Sequence, residues 1–228
     1  MLPTSLKLMG GGVDISLPNV SYCEDVKDVH YNPYNTVEFY VGEITPPQTV
    51  KIYTDSSTSV DIEVSEGNKW YTYVLPKDNG LYKIEGSSVK KVVIKANISY
   101  EPIYRPPYYQ YSIIPTSTVE ASFKGSNTSN VTDMESMFRG CSGLTSLDVS
   151  SFNTNMVTDM SYMFKGCTSL TSLTLSNFNT SNVTYMDSMF YGCSKLKTIR
   201  MVGCSTDTVN KIKTQLTKDN ITEVTITT

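Results

Sequence analysis

Three stretches of the chain superimpose without a gap, and this constrains the fold more than any other feature. They are NVTDMESMFRGCSGLTSLDVS from Asn130, MVTDMSYMFKGCTSLTSLTLS from Met156 and NVTYMDSMFYGCSKLKTIRMV from Asn182. Val131, Val157 and Val183 form one column of a 26-residue period. Further columns are Met134/Met160/Met186, Phe138/Phe164/Phe190, Gly140/Gly166/Gly192, Cys141/Cys167/Cys193, Leu144/Leu170/Leu196 and Leu147/Leu173/Ile199. A unit this short cannot bury its apolar face alone. Stacked units share one continuous core, so the period implies a solenoid.

Within a unit, L-x-x-L-x-V (Leu144, Leu147, Val149) places its last two apolar residues on one face of a short strand. V-x-x-M-x-x-M-F (Val131, Met134, Met137, Phe138) has helical spacing and predicts a short helix, which the following Gly would stop in a left-handed conformation. Asn127, Asn153 and Asn179 precede each such helix and would stack as an amide ladder or cap it. Asp133 and Asp159 would favour the helix dipole. One period upstream, Ala121 and Phe123 mark a first strand without its own helix. Downstream, Asp207–Leu216 is helix-like, with Val209, Ile212 and Leu216 on one side. Ile221, Val224 and Ile226 then repeat the strand pattern after an interval shortened by one residue. The array therefore predicts five parallel strands, with residues 205–228 as a terminal cap.

The unit NVTDMxxMFxGCxxLTSLxxSxFNTS resembles the leucine-rich repeat of BspA-type bacterial surface proteins, also found in proteins of viruses that infect bacteria. The resemblance covers about residues 117–203. It implies parallel strands alternating with short helices and an extracellular binding or adhesive role. Those bacterial proteins carry a secretion signal. Here MLPTSLKLMGGGVDIS lacks an apolar stretch of the required length, and Lys7 interrupts what there is. A mature form, a non-secreted protein or another release route is expected.

The N-terminal half reads differently. Residues 36–100 alternate with period two: Val37, Phe39 and Val41, then Val50 and Ile52, then Val60, Ile62 and Val64. Trp70–Leu75, Leu81–Ile84 and Val89–Ile98 are further strand candidates. Turn clusters separate them, which predicts an all-β, sandwich-like domain. Residues 1–35 read as an arm held by a docking partner, and 101–116 as a Pro- and Tyr-rich linker holding the halves apart. The expected fold is therefore α+β: a sandwich-like domain followed by the solenoid of residues 117–228.

Few residues offer chemistry. The net charge of −3 and the scattered Lys and Arg give no basic face for nucleic acid. No apolar run reaches the ~18 residues of a spanning helix. The single histidine, His30, has no second His for triad or metal chemistry. The in-phase cysteines read as buried small hydrophobes and the methionines as core. No cofactor, metal or catalytic residue is expected.

A binding surface is expected instead, on the outward strand positions Glu120, Ser122, Ser146, Asp148, Ser172, Thr174, Thr198 and Arg200. A solvated hydroxyl ladder is the plainer reading. Tyr104, Tyr108 and Tyr109 would stack on sugars, anchor a protein interface or pack between the halves. These features point to a non-enzymatic attachment protein. It would be anchored in a larger assembly by its N-terminal half, on a bacteriophage particle or, alternatively, on a bacterial surface. Its repeats would meet a glycan or a host surface protein.

Overall fold

A computed structural model describes residues 20–23, 35–45, 48–55, 57–76, 80–100 and 112–228. The N-terminal strands are β1 Val20–Cys23, β2 Thr36–Val41, β3 Gln48–Tyr53, β4 Ser59–Val64, β5 Lys69–Val74, β6 Lys83–Glu85 and β7 Val89–Lys95. The repeat strands follow as β8 Glu120–Ser122, β9 Ser146–Asp148, β10 Ser172–Thr174 and β11 Thr198–Arg200. Helix α1 (Thr206–Lys218) and β12 (Thr225–Thr227) close the described chain. The architecture is mostly β, with one helix among the described residues, rather than the α+β mixture expected.

Two sheets form. Nine strands run in the order β1-β5-β2-β7-β8-β9-β10-β11-β12, and β4-β3-β6 form a second sheet. The first sheet is antiparallel as far as β7 and parallel from β7 onward. The expectation that prolines hold the halves apart is not met, because β7 pairs directly with β8, Val92 opposite Ala121. The junction continues past the strands: Asn127 N–H donates to the Ala96 carbonyl at 3.0 Å, and Ile98 N–H donates to that of Asn127 at 2.9 Å. Within the last residues of the linker, Ile113 N–H donates to the Met137 carbonyl at 2.9 Å. The N-terminal half thus supplies the first layer on which the solenoid stacks. Inward residues of β2, β5 and β7 (Val37, Phe39, Tyr71, Val92, Ile94) join the same buried cluster as Val50, Ile52, Ile62 and Ile84 of the second sheet and as the repeat columns.

The short helices expected in each repeat are absent, and turns replace them. Ser136, Tyr162 and Ser188 occupy one column and share a left-handed backbone, φ 59°, 59° and 53°. An L-residue in that region ends a right-handed helix. The backbone bonds explain the choice. The N–H groups of Met134, Ser136, Phe138 and Gly140 donate to carbonyls of Asp159, Ser161, Met163 and Lys165 in the next coil, at 2.8–2.9 Å. Those of Met137, Arg139 and Cys141 close turns onto Met134, Ser136 and Phe138. A helix would spend these donors within its own coil, whereas alternation ties each coil to the next. The apolar spacing of three to four residues is satisfied either way, since Val131, Met134, Met137 and Phe138 are all buried. Gly140, Gly166 and Gly192 do adopt the expected positive φ, and a Cβ on Gly166 would lie 3.6 Å from the Gly140 Cα.

The Asp and Asn columns change role with the helices. Asp133 accepts from Glu135 N–H at 2.8 Å and Asp159 from Ser161 N–H at 2.7 Å. Asn127, Asn153 and Asn179 accept likewise from the residues two positions on. All are side-chain turns rather than helix-dipole or cap contacts. A partial amide ladder is present, Asn127 Nδ2 to Asn97 Oδ1 and Asn179 Nδ2 to Asn155 Oδ1.

Inside, Phe138, Phe164 and Phe190 stack with ring centroids 5.7 and 5.8 Å apart and nearly parallel planes. Beside them runs a column that pattern reading did not single out. Buried Thr128 donates to the Asn153 carbonyl (3.0 Å) and accepts its N–H (2.8 Å), and Thr154 does the same with Asn179. Thr180 meets Thr208 of α1 instead, at 3.2 Å. The helix therefore takes over where coils stop. Ser205 caps its N-terminus, and Val209, Ile212 and Leu216 are buried as expected. Lys211 Nζ donates to the Thr180 and Val183 carbonyls, and Asp219 accepts from Phe190 N–H. The last strand sits two residues away from the expected register. Ile226, not Val224, pairs with Ile199, so the final interval is longer than the period.

Two stability predictions follow from these columns. Leu173 is 2% exposed at the centre of the array. Leu173→Ala is expected to destabilise by about 2–5 kcal/mol through lost burial and a residual cavity, read by denaturant melts. Ser136 has both a left-handed backbone and a buried hydroxyl without a hydrogen-bond partner. Ser136→Gly is expected to stabilise by about 1 kcal/mol; a lower melting temperature would contradict the turn geometry.

Candidate surface on the outward sheet face

The alternation that buries Ala121, Leu147, Leu173 and Ile199 turns their neighbours outward. Glu120, Ser146, Ser172 and Thr198 are exposed, Ser122, Asp148 and Thr174 are half-buried, and Arg200 is exposed. All eight expected strand positions therefore lie on one face, in two rows. Tyr104, Tyr108 and Tyr109 lie outside the described residues, as does His30.

Strand pairing extends both rows into the N-terminal half. One row runs Thr72, Glu38, Val93, Ser122, Asp148, Thr174, Arg200, Thr227. The other runs Trp70, Tyr40, Lys91, Glu120, Ser146, and continues through Ser172, Thr198 and Thr225. Two contacts confirm the shared face. The rings of Tyr40 and Trp70 lie 5.6 Å apart at 58°, and Lys91 pairs with Glu120 at 2.9 Å. Pattern reading missed Trp70, Tyr40 and Lys91. The outward alternation of KWYTYV is a visible signal, but only the β7–β8 pairing places it beside the repeats.

The face is polar and locally satisfied. Asp148 accepts from Ser150 N–H at 2.9 Å. A shallow hollow of about 370 Å³ opens among Ser146, Asp148, Ser150, Ser172 and Thr174. Hydroxyls with one carboxylate offer donors and acceptors side by side and suit a neutral polar ligand.

The cysteines lie elsewhere, inside. Cys141, Cys167 and Cys193 are buried free thiols. Cys167 and Cys193 Sγ donate to the Phe138 and Phe164 carbonyls at 3.2 and 3.1 Å. Burial pushes Cys141 up to about 11 and Cys193 up to about 12, so these thiols stay protonated and unreactive near neutrality. Among the described residues, no group of three or more His, Cys, Asp or Glu is placed to hold a metal ion, and no helix is long and apolar enough to cross a membrane.

Asp133 is a carboxylate that burial perturbs. It lines a hollow of about 410 Å³ with Asn97, Tyr100 and Asn127, where the halves join. Burial raises its pKa to about 6, against the Glu135 N–H that stabilises the anion, and Asp159 adds repulsion. A carboxyl whose folded pKa exceeds its unfolded value supports the fold fully below the unfolded pKa and loses that support as pH rises through the folded pKa. The relevant window is pH 3.8 to about 6. Asp133→Asn keeps the acceptor for Glu135 and removes the charge. It is expected to be more stable than the parent at pH 7 by about 1 kcal/mol, allowing for partial solvent screening. Paired melts at pH 7 and pH 3.5 check this, with the difference vanishing at the lower pH.

Neither the curated proteins nor the solved structures contain a match to this chain. One family profile, described as "Mycoplasma protein of unknown function, DUF285", matches residues 111–225. That segment runs from the end of the linker through β8, β9, β10, β11 and α1 to the first residue of β12. It spans half the chain, and the protein belongs to this family.

Proposed function

We propose that the chain is a non-enzymatic attachment protein. Its repeat array, read as a BspA-type leucine-rich repeat, displays a binding face, and its N-terminal half, read as a two-sheet sandwich, docks it into a larger assembly. The observation that carries this reading is the outward face itself. Two rows of polar side chains, five of the eight Ser or Thr, cross consecutive parallel strands and leave hydroxyls uncovered. Such a surface suits reversible polar contacts with a glycan or a host surface protein better than a permanent apolar interface.

The assembly is proposed to be a bacteriophage particle, with the arm of residues 1–35 among the docking elements. A second location is the bacterial cell surface; the matched family's description names a Mycoplasma protein, a bacterial rather than a viral source. Immunogold labelling of cells and of purified particles separates the two.

The binding role has its own test. Ser172→Arg with Thr174→Arg replaces two outward side chains in the middle of the array and leaves the buried columns intact. Full-length protein carrying this pair is expected to melt like the parent and to enter its assembly normally, while adsorption to host cells falls at least tenfold. Unchanged adsorption would remove the repeat face from function. Lost assembly with retained adsorption would reverse the roles of the two halves.

A further inference from the structure

We infer that the binding face takes a neutral, linear glycan, and that its anchor is the aromatic pair Trp70 and Tyr40 on the N-terminal sheet, not a residue of the repeats. This deepens the attachment reading and rests on it. Continuity of the sheet is the first observation. Trp70, Tyr40, Lys91, Glu120 and Ser146 are successive cross-strand partners, and Ser172 is next on the same face. At a strand spacing of ~4.8 Å, the distance from Trp70 to Ser172 is roughly 24 Å, room for several sugar units laid across the strands.

The chemistry changes along that line in a way a glycan matches. At one end, Trp70 and Tyr40 are half-buried on the outward face and tilted against each other at 58°, giving aromatic surface for the apolar side of a pyranose. At the other, Ser146, Asp148, Ser172 and Thr174 border the hollow and offer hydroxyl and carboxylate partners for vicinal sugar hydroxyls.

Charge selects among polar ligands. Lys91 is neutralised by Glu120, and Lys197 at the far end by Glu223. Of the remaining charges on the two rows, Glu38 and Asp148 are acidic and Arg200 is basic. Lys95, exposed on the same face of β7, adds a second base, so the face is close to neutral. It carries no cluster of positive charge to attract a polyanion such as nucleic acid or a sulfated glycan, and it lacks the field that would draw a strongly charged protein. An uncharged polyol with an apolar ring face complements it.

Trp70 is the only tryptophan in the chain, so intrinsic fluorescence reports the proposed anchor directly. The probes are β-1,4-linked glucose and N-acetylglucosamine oligomers of two and six units, with a sulfated heparin hexamer and a serine-rich hexapeptide as contrasts. The full chain is titrated with each. A saturable emission change is expected with at least one neutral hexamer, tenfold weaker with its dimer and absent with heparin and the peptide. Tyr40→Ala keeps the reporter and is expected to weaken that binding at least tenfold. Ser172→Arg with Thr174→Arg is expected to weaken hexamer but not dimer binding. Trp70→Phe retains a ring, and calorimetry should find weakened but measurable binding.

The inference is overturned if neither neutral hexamer binds by fluorescence or calorimetry. It is also overturned if heparin or the peptide binds more tightly, or if Tyr40→Ala binds like the parent. Host-cell adsorption distinguishes these failures from failure of the attachment reading. Adsorption sensitive to the repeat-face pair but indifferent to Tyr40→Ala and to excess hexamer leaves attachment standing and removes the glycan anchor. Adsorption indifferent to every variant removes both.

Discussion

Each coil donates alternate backbone N–H groups to carbonyls of the next, and the rest of the molecule depends on that exchange. In the turn segments, Met134, Ser136, Phe138 and Gly140 face the following coil, while Met137, Arg139 and Cys141 close four-residue turns. Buried polar backbone must be paired, and a helix pairs within itself. Here the pairing runs between coils, so every coil needs a neighbour. This requirement fixes identical residues in identical places. A left-handed residue at Ser136, Tyr162 and Ser188 bends the chain so that alternate donors point along the stack. A threonine at 128 and 154 covers the donor and acceptor of the next asparagine.

The same requirement explains both ends of the array. At the C-terminal end no further turn segment follows the third repeat, and α1 substitutes for it. Lys211 donates to two carbonyls, Thr208 meets Thr180, and Asp219 accepts the N–H of Phe190. At the other end, β7 and the residues after it serve as the missing first coil. They pair with β8 and with Asn127. The N-terminal half is therefore structurally a cap as well as a domain, and the two halves share a sheet and a buried cluster.

Much of this was legible from residue spacing. The period, the identity of the inward columns, the positive φ of the glycines, the burial of the thiols, α1 and the number of parallel strands in the array all follow from which residues recur. What spacing could not separate is a helix from a string of turns. Val131, Met134, Met137 and Phe138 satisfy either, and the deciding bonds run to residues about one period away. The register of β12 failed for a related reason: Val224 and Ile226 are both apolar and two apart, so either could face inward. Of the candidate site, the eight outward repeat positions were readable from alternation. Trp70 and Tyr40 were not, because their membership of that face depends on β7 meeting β8 across the linker, a pairing with no local sequence signature.

This division of labour bears on where function can reside. Inward positions carry phenylalanine stacks, thiols and threonines whose identities are dictated by the coil-to-coil bonds and the close-packed core. Each is occupied for a reason internal to the fold. Outward positions carry no such demand, since the strand bonds are made by backbone alone and either a threonine or an arginine fits there, as Thr174 and its cross-strand neighbour Arg200 illustrate. A large aromatic pair on that face is not required by the stacking, and hydrophobic burial gives no reason to set the only tryptophan half-buried on the outward side of a sheet whose opposite side is packed. Residues that the fold neither needs nor hides are the ones whose chemistry is free to be set by a partner. On this molecule they converge on the outward face of the nine-stranded sheet.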